Sequence, residues 1–264
     1  MSEIPLLLGR DPDGKDVRAD LADAYHWLIT GRTRSGKSVA LYTILGQLAG
    51  RDDVIVAGVD PSGIVFNALG QQLGGNSWRV QTLREASRCL TVLTDLVEMM
   101  DARIDDLLAL GLDKFDDFSF SRPLVLVVFE EYPGMLEALK GHDQASGAKP
   151  GDRIAGRCQS AIQRLALEGA KVGFRLVVCS QRGDASILTG ILRSQLAVKL
   201  TFAQDIDGVN MLHPGLDPAQ AGMVCGFEPG QGLIETPNQG LTMFKGDFLS
   251  YTGLRRIARN TNGV

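Results

Sequence analysis

The sequence predicts an α/β fold with a mainly parallel sheet and helices on both faces. Two uninterrupted apolar runs, Val54–Val59 and Leu124–Phe129, are typical of strands buried on both sides. The segments between such runs repeat apolar residues every three or four positions, the period of an amphipathic helix. Strands that alternate with helices favour parallel pairing, because each connection must cross over the sheet.

The chain is predicted to form a single domain over residues 1–264. Residues 4–30 are expected to form strands around an Asp-Pro-Asp-Gly turn and to lead into Gly31. Helical periodicity predicts helices over residues 38–48, 83–110 and 154–170. Further strands are predicted at residues 175–180 and 197–202. Residues 136–151, small, polar and rich in Gly and Lys, predict a mobile surface loop, and residues 227–264 the C-terminal strands and tail.

Composition excludes several classes of protein. The 264 residues include 44% hydrophobic ones, too many for a disordered chain. The longest apolar run, residues 123–129, is far shorter than the ~20 residues that span a membrane. Four scattered cysteines without a CxxC pair and three distant histidines indicate neither a disulfide framework nor a zinc site. We therefore expect a cytoplasmic protein with no direct membrane insertion.

Charge is distributed unevenly along the chain. The net charge of −4 argues against a protein that coats nucleic acid over its whole surface. From Lys140 to Arg182, however, the sequence carries eight cations and three anions, whereas residues 101–131 carry three cations and eight anions. This segregation is consistent with either solvated helix faces or a local basic surface.

One motif fits the phosphate-loop pattern G-x-x-x-x-G-K-[ST] at every fixed position: Gly31-Arg32-Thr33-Arg34-Ser35-Gly36-Lys37-Ser38. It follows a predicted strand and opens a predicted helix, so backbone N–H groups and the helix N-terminus would surround a phosphate. Lys37 is expected to reach the outer phosphates of ATP, and the Ser38 hydroxyl to ligate Mg²⁺. The chain is thus predicted to be a P-loop NTPase.

A second motif is the carboxylate pair at the end of the apolar run 124–129. We assign Glu130 to the metal and Glu131 to the water that attacks ATP, because an NTPase needs both functions opposite its phosphate loop. The metal-side residue is usually Asp, so Glu130 places its carboxylate about 1.5 Å further out. Gln181, which follows the strand at 175–180, is expected to contact the γ-phosphate or the water, and Asp60-Pro61 ends another strand at the same edge.

Further stretches accompany these motifs in a fixed order along the chain. Residues 4–11, 19–22 and 26–29 precede Gly36-Lys37-Ser38-Val39. After it come Asp60-Pro61, residues 97–100 with Arg103, Ser180-Gln181-Arg182, residues 189–193, Lys199, residues 230–233 and Gln239-Gly240. Taken together, this ordered set resembles the motor domain of the FtsK/SpoIIIE DNA translocases over residues 4–259.

The resemblance implies a RecA-like motor that assembles as a homo-hexameric ring around double-stranded DNA and binds ATP between subunits. It implies that Arg193 and Lys199 face the DNA backbone, where phosphate contacts suffice for a sequence-nonspecific grip. Without the family's membrane segments and winged-helix module, the chain resembles a stripped relative from a mobile element, plasmid-transfer system or phage, which a membrane-anchored partner could recruit.

Two departures from the family pattern keep other functions open. The family's Ile-Asp-Ser-Arg segment is Ile206-Asp207-Gly208-Val209 here, and an arginine acting on ATP across subunits can contribute 10³–10⁵ in rate. Together with Glu130, this leaves an ATP-gated binding module that hydrolyses slowly as one alternative. The other is a protein-export or assembly ATPase with the same fold. The first reading is an ATP-driven translocase of double-stranded DNA that serves conjugative transfer, segregation or packaging.

Overall fold

A computed structural model describes residues 2–181 and 188–261. Its strands are β1 (Pro5–Arg10), β2 (Asp16–Asp20), β3 (Trp27–Thr30), β4 (Val54–Val59), β5 (Arg79–Val80), β6 (Leu124–Phe129), β7 (Phe174–Ser180), β8 (Val198–Phe202), β9 (Gln231–Thr236) and β10 (Gly240–Gly246). Its α-helices are α1 (Lys37–Leu48), α2 (Ile64–Leu69), α3 (Ala86–Ala109), α4 (Tyr132–Ala145), α5 (Ile154–Glu168), α6 (Gly190–Gln195), α7 (Ile206–Leu212), α8 (Pro218–Cys225) and α9 (Tyr251–Asn260).

The strands form one sheet in the order β2-β1-β10-β9-β8-β3-β7-β6-β4-β5. From β8 to β5 every neighbouring pair is parallel, whereas the pairs from β2 to β8 are antiparallel. The predicted α/β class is therefore confirmed, with an antiparallel extension built from both ends of the chain. The outermost strands differ: β5 has two residues, and β2 carries Asp16, Arg18 and Asp20.

Helices bury the two faces of the sheet in separate cores. Along the fully buried β6, Val125, Val127 and Phe129 belong to the core that contains α3, α4 and α5. The alternate residues Leu124, Leu126 and Val128 belong to the core that contains α1, α2 and α9. Because successive strand side chains point to opposite faces, burial on both sides requires the uninterrupted apolar run seen in the sequence.

The strands and the helix with the strongest sequence patterns were predicted with nearly correct boundaries. β4 and β6 coincide with the two apolar runs, and the long helix predicted over residues 83–110 is α3. Among the described residues, no helix combines the length and apolar character needed to cross a membrane.

The predicted mobile loop at residues 136–151 is wrong. Most of it belongs to α4, which begins at Tyr132, and Pro150–Asp152 forms a short 3-10 helix. Tyr132, Met135, Leu136 and Leu139 recur at helical spacing and are buried against α5 and the sheet, a pattern that the surrounding Gly and Lys residues obscured. The buried Asp143 carboxylate accepts hydrogen bonds from the N–H groups of Ile154 and Ala155 and so fixes the start of α5.

His26 connects β3 to the neighbouring layer as a neutral side chain. The Leu176 N–H donates to Nδ1 over 3.0 Å, so Nε2 carries the proton and donates to the Ala166 carbonyl, also over 3.0 Å. Burial lowers the pKa of His26 to about 4. The imidazole is thus part of the buried core. Because hydrogen bonds occupy both of its ring nitrogens, it is not a candidate metal ligand.

We expect this histidine to make stability pH-dependent. Since its pKa is lower in the folded chain, its contribution is complete above the unfolded value near 6.5 and is lost as pH falls towards 4. Denaturant titrations should show about 3 kcal/mol of acid destabilisation that His26→Gln lacks. The control His142→Gln, at an exposed position of α4, should keep the wild-type profile. Identical pH profiles for wild type and His26→Gln would contradict this prediction.

Candidate nucleotide-binding site

The parallel register brings the predicted motifs to one edge of the sheet. Thr30, which precedes the phosphate loop, pairs with Ser180, which precedes Gln181. On the next strand Phe129, which precedes Glu130, pairs with Val178 of β7 and with Val59 of β4. The carboxyl ends of four neighbouring parallel strands therefore present the phosphate loop, Gln181, the two glutamates and Asp60.

The phosphate loop, residues 31–38, has a backbone that its glycines permit. Gly31 and Gly36 have φ values of 147° and 126°, in a region that side-chain-bearing residues rarely adopt. A Cβ on Gly31 would lie 2.6 Å from the Ser35 hydroxyl and 2.7 Å from Phe202 Cβ. Arg34 also has a positive φ of 66°. This strained, tightly packed loop before α1 has the backbone geometry of an anion site, in which N–H groups surround a phosphate.

Lys37 lies across the phosphate loop. Its Nζ donates to the Gly31 carbonyl over 2.6 Å, so the first helical residue reaches back to the start of the motif. Burial lowers the pKa of Lys37, and the carboxylates of Glu131 and Glu130 oppose that change. The ammonium thus lies in the field of the acidic pair, where it can neutralise phosphate charge.

Gln181 links the phosphate loop to Glu131. Its Oε1 accepts a hydrogen bond from the Thr33 hydroxyl over 3.2 Å. Its side chain and backbone also lie close enough to the Glu131 carboxylate to lower the pKa of that group. A single amide therefore contacts both the loop that would hold the phosphates and the residue assigned to the water. Thr33 occupies a position of the motif that accepts any residue, so the sequence did not indicate its contact with Gln181.

The two glutamates differ in their surroundings. Burial raises the pKa of Glu130 to about 7, the charges of Asp60 and Glu131 add to the rise, and Lys37 opposes it. Burial also raises the pKa of Glu131, against the effects of Lys37 and the Gln181 hydrogen bonds. Lys37 and Gln181 thus favour the ionised form of Glu131, whereas Asp60 and Glu131 disfavour that of Glu130, and the assignment of the water to Glu131 stays a prediction.

Asp60 has a structural role. Its fully buried carboxylate accepts from the Ser62 hydroxyl and from backbone N–H groups at the start of α2, including that of Val65 over 2.7 Å. These donors satisfy the carboxylate oxygens inside the protein and hold them in place. Asp60 thereby places a fixed negative charge next to Glu130.

The residues predicted to hold Mg²⁺ and ATP have suitable chemistry. Ser38 is exposed at the start of α1, and the half-buried Glu130 carboxylate is a hard oxygen ligand of the kind Mg²⁺ prefers. The described residues contain no group of three or more His, Cys, Asp or Glu side chains that could hold a metal alone. An ion here would therefore share its coordination with phosphate oxygens.

The predicted DNA contacts Arg193 and Lys199 have internal partners. Arg193 is half-buried, and its Nη1 lies 3.2 Å from the Met211 sulfur. Lys199 Nζ donates to the Leu212 carbonyl over 2.8 Å and lies 3.0 Å from the Glu235 carboxylate. The assignment of both residues to DNA stays a prediction, and Lys199 would have to leave Glu235 to make that contact.

A buried polar chain continues from this ion pair towards the phosphate loop. Glu235 lies 2.7 Å from His213 Nδ1, and His213 Nε2 lies 2.8 Å from the Thr201 hydroxyl. Thr201 in turn receives a hydrogen bond from Thr30, the last residue before the loop. Sequence reasoning missed this network, because its members lie on different elements and match no spacing motif.

Val209 stands where the family's Ile-Asp-Ser-Arg segment has its arginine, so this position carries no positive charge. It is fully buried on α7 and packs with Ala221, Val224 and Leu233. The position is used for packing inside the protein. Arg182, the third residue of the Ser-Gln-Arg stretch, lies outside the described residues.

Comparison with known proteins relates this arrangement to a family. The model of the FtsK/SpoIIIE family matches residues 1–135. The DNA translocase FtsK of Haemophilus influenzae is 25% identical over 263 residues, covering 87% of this chain and 47% of that protein. The FtsK of Streptomyces avermitilis is 28% identical over 207 residues, covering 74% and 22%. This chain thus spans about half or less of their length.

A solved structure shows the same fold. The conjugation coupling protein TcpA of pCW3, in a monomer form with ATPγS, has a TM-score of 0.71, is 20% identical, and matches 98% of this chain and 71% of that chain. The chain belongs to the FtsK/SpoIIIE family. Membership confirms the resemblance and the P-loop ATPase class predicted from the sequence.

Replacing Lys37 should impair nucleotide binding. Lys37→Ala removes the ammonium that lies across the phosphate loop, and a charge-assisted hydrogen bond contributes about 1.5–3 kcal/mol. We expect the Kd for ATP, measured by calorimetric titration, to rise at least about tenfold. The control Lys171→Ala removes an exposed lysine outside the site and should leave the Kd unchanged. An unaltered Kd in Lys37→Ala would show that the loop binds nucleotide without it.

Glu131→Gln should separate binding from hydrolysis. The amide cannot accept a proton from water, so steady-state ATP hydrolysis should fall by about 10²–10⁴ while the Kd for ATP stays near the wild-type value. Glu137→Gln, at an exposed position on the helix that directly follows Glu131, is the matched control and should hydrolyse normally. Wild-type turnover by Glu131→Gln would transfer the role of the base to another group.

Proposed function

We propose that this member of the FtsK/SpoIIIE family hydrolyses ATP to move double-stranded DNA without reading its sequence. The observation that carries the proposal is the connection from the phosphate loop through Gln181 to Glu131. Such a contact lets the state of the phosphates determine the position of the residue that acts on water. A motor needs this coupling between hydrolysis and movement.

In the proposed reaction Lys37 neutralises phosphate charge and Glu131 orients the attacking water and accepts its proton. Ser38 and Glu130 would hold Mg²⁺, which supplies charge neutralisation at the phosphates. Burial and the Asp60 charge disfavour the Glu130 anion in the folded chain, and a cation bound there would oppose that effect. Gln181 holds Glu131 in place through its side chain and backbone.

Support for DNA as the substrate comes from the basic segment after residue 140. Several of its cations have internal roles: Arg175 is buried, Lys140 pairs with Glu137, and Arg164 pairs with Asp101 and Glu168. In contrast, Lys149, Arg153 and Arg157, around the start of α5, are exposed and form no ion pair with any described residue.

Two of these three cations line clefts near the start of α5. Arg153 contributes to two neighbouring clefts, of about 690 Å³ and 460 Å³, and Arg157 to the smaller one. Exposed, unpaired guanidinium groups suit a phosphate backbone, because they keep their charge and bind phosphate oxygens in pairs. The basic surface around α5, rather than Lys199, is therefore the better supported DNA contact.

Assembly is part of the proposal. Family membership supports a homo-hexameric ring in which DNA passes through the centre and ATP lies between subunits. Such a ring would act in the cytoplasm, with recruitment by a membrane-anchored partner. Val209 provides no arginine across the interface, so we expect slow hydrolysis unless another cation reaches the phosphates.

The test is the steady-state ATPase rate with and without long duplex DNA at two salt concentrations. The proposal expects strong stimulation that fades as salt rises, since binding through phosphates releases counterions. ATP turnover unchanged by duplex DNA at low salt would contradict it and favour the protein-moving alternative. Tight ATP binding without turnover in either condition would favour the ATP-gated binding module.

Charge removal at the start of α5 should weaken this stimulation. Arg153→Gln with Arg157→Gln should raise the DNA concentration needed for half-maximal stimulation about tenfold and reduce its salt dependence, while DNA-free turnover stays constant. A charge-matched control, Arg10→Gln with Arg18→Gln, removes two ion-paired arginines from β1 and β2 and should behave as wild type. Equal responses of the two double variants would place the DNA contact elsewhere.

A further inference from the structure

A cleft adjoins the phosphate loop on the side away from the glutamates. It has a volume of about 380 Å³, and one wall consists of Gly36, Lys37, Ser38 and Val39. The facing wall comes from the turn before β9 and from the segment around the end of β10: Pro229, Gly230, Lys245, Gly246 and Phe248. With Arg34, which also lines it, the cleft shares four residues with the loop that binds phosphate.

Strand order gives this cleft a defined position relative to the reacting end of ATP. Glu131 and Gln181 follow β6 and β7, on one side of β3, whereas Gly230 precedes β9, on the other side. A nucleotide with its terminal phosphate near Lys37 and Glu131 would extend its opposite end away from β7. The cleft lies in that direction and is contiguous with the loop.

The facing wall is fastened to the phosphate loop. The Gly230 N–H donates to the Ser35 carbonyl over 2.8 Å, and the Gly246 N–H donates to the Gly230 carbonyl over 2.8 Å. Lys245 Nζ donates to the Pro229 carbonyl over 2.8 Å. A Cβ on Gly36 would lie 3.0 Å from Gly230 N, so the two walls approach as closely as glycine allows. The cleft is therefore preformed.

Phe248 is exposed although its chain neighbours are anchored. The phenyl ring is 80% exposed, whereas the preceding Asp247 carbonyl accepts a hydrogen bond from the Thr43 hydroxyl over 3.2 Å. The following Leu249 packs on α1, where a Cβ on Gly46 would lie 2.6 Å from it. The chain on both sides of Phe248 is thus anchored, which places this exposed apolar side chain beside the cleft that it lines.

We propose that this cleft binds the nucleobase of the nucleotide, with the Phe248 ring stacked on the face of the base. The hydrogen-bonding side chains that line it are Arg34, Lys37, Ser38 and Lys245, of which Ser38 alone can accept. A cleft with so few acceptors and an exposed aromatic ring recognises the face of a base more than its edge. The proposal rests on ATP as the ligand of the phosphate loop.

The test compares ligands with and without a base. Calorimetric titration should give the Kd of the non-hydrolysable analogues AMPPNP and GMPPNP and of inorganic tripolyphosphate. Phe248→Ala should weaken AMPPNP and GMPPNP by about tenfold each, the size of one base-stacking contact, and leave tripolyphosphate unchanged. Phe248→Trp should retain the wild-type values. Phe120→Ala removes a second phenylalanine that is also 80% exposed and should change none of them.

Several outcomes would overturn the proposal. These are an unchanged Kd for AMPPNP in Phe248→Ala, an equal loss for tripolyphosphate, a loss for only one of the two bases, or a loss that accompanies a change of oligomeric mass in sedimentation. Wild-type protein that binds tripolyphosphate as tightly as AMPPNP would exclude a base site but keep the phosphate site. Wild-type protein that binds none of the ligands would instead refute the premise that ATP is the substrate.

Discussion

The parallel register of β3, β7, β6 and β4 is the constraint on which the site depends. It aligns the ends of four strands, so groups from distant parts of the sequence meet at one edge. Continuous burial of these strands on both faces makes a shift of register costly, because each residue is fitted between two layers of helices. The short link from Thr33 through Gln181 to Glu131 exists only in this alignment.

Much of this arrangement was predictable, because its signals are local. The phosphate loop needs glycine at positions 31 and 36 for backbone angles that other residues resist, and β6 needs an unbroken apolar run to lie between two cores. Each requirement produces a recognisable pattern within eight consecutive residues of the sequence. Because parallel strands present their carboxyl ends at one edge of the sheet, even the approach of Gln181 to the glutamates could be anticipated.

The rest depends on contacts between distant residues. The family resemblance assigned Lys199 to the DNA backbone, yet Glu235, which is distant in sequence, holds it beside His213. The Gly and Lys residues of 136–151 suggested a loop, yet α4 forms because its apolar residues reach a core contributed by other elements. A side chain's partner and an element's burial are tertiary properties, and a single sequence does not display them.

The sheet's outer strands bear on how copies of this chain can meet. At one edge, β5 has two residues, too few to pair extensively with a strand of a second copy. At the opposite edge, β2 carries charged side chains at alternate positions. Both devices oppose edge-to-edge aggregation, the hazard of an open sheet with unpaired backbone groups. Any association of copies is thereby directed to side-chain surfaces, and such contacts could form and separate while the backbone pairing of the sheet stays intact.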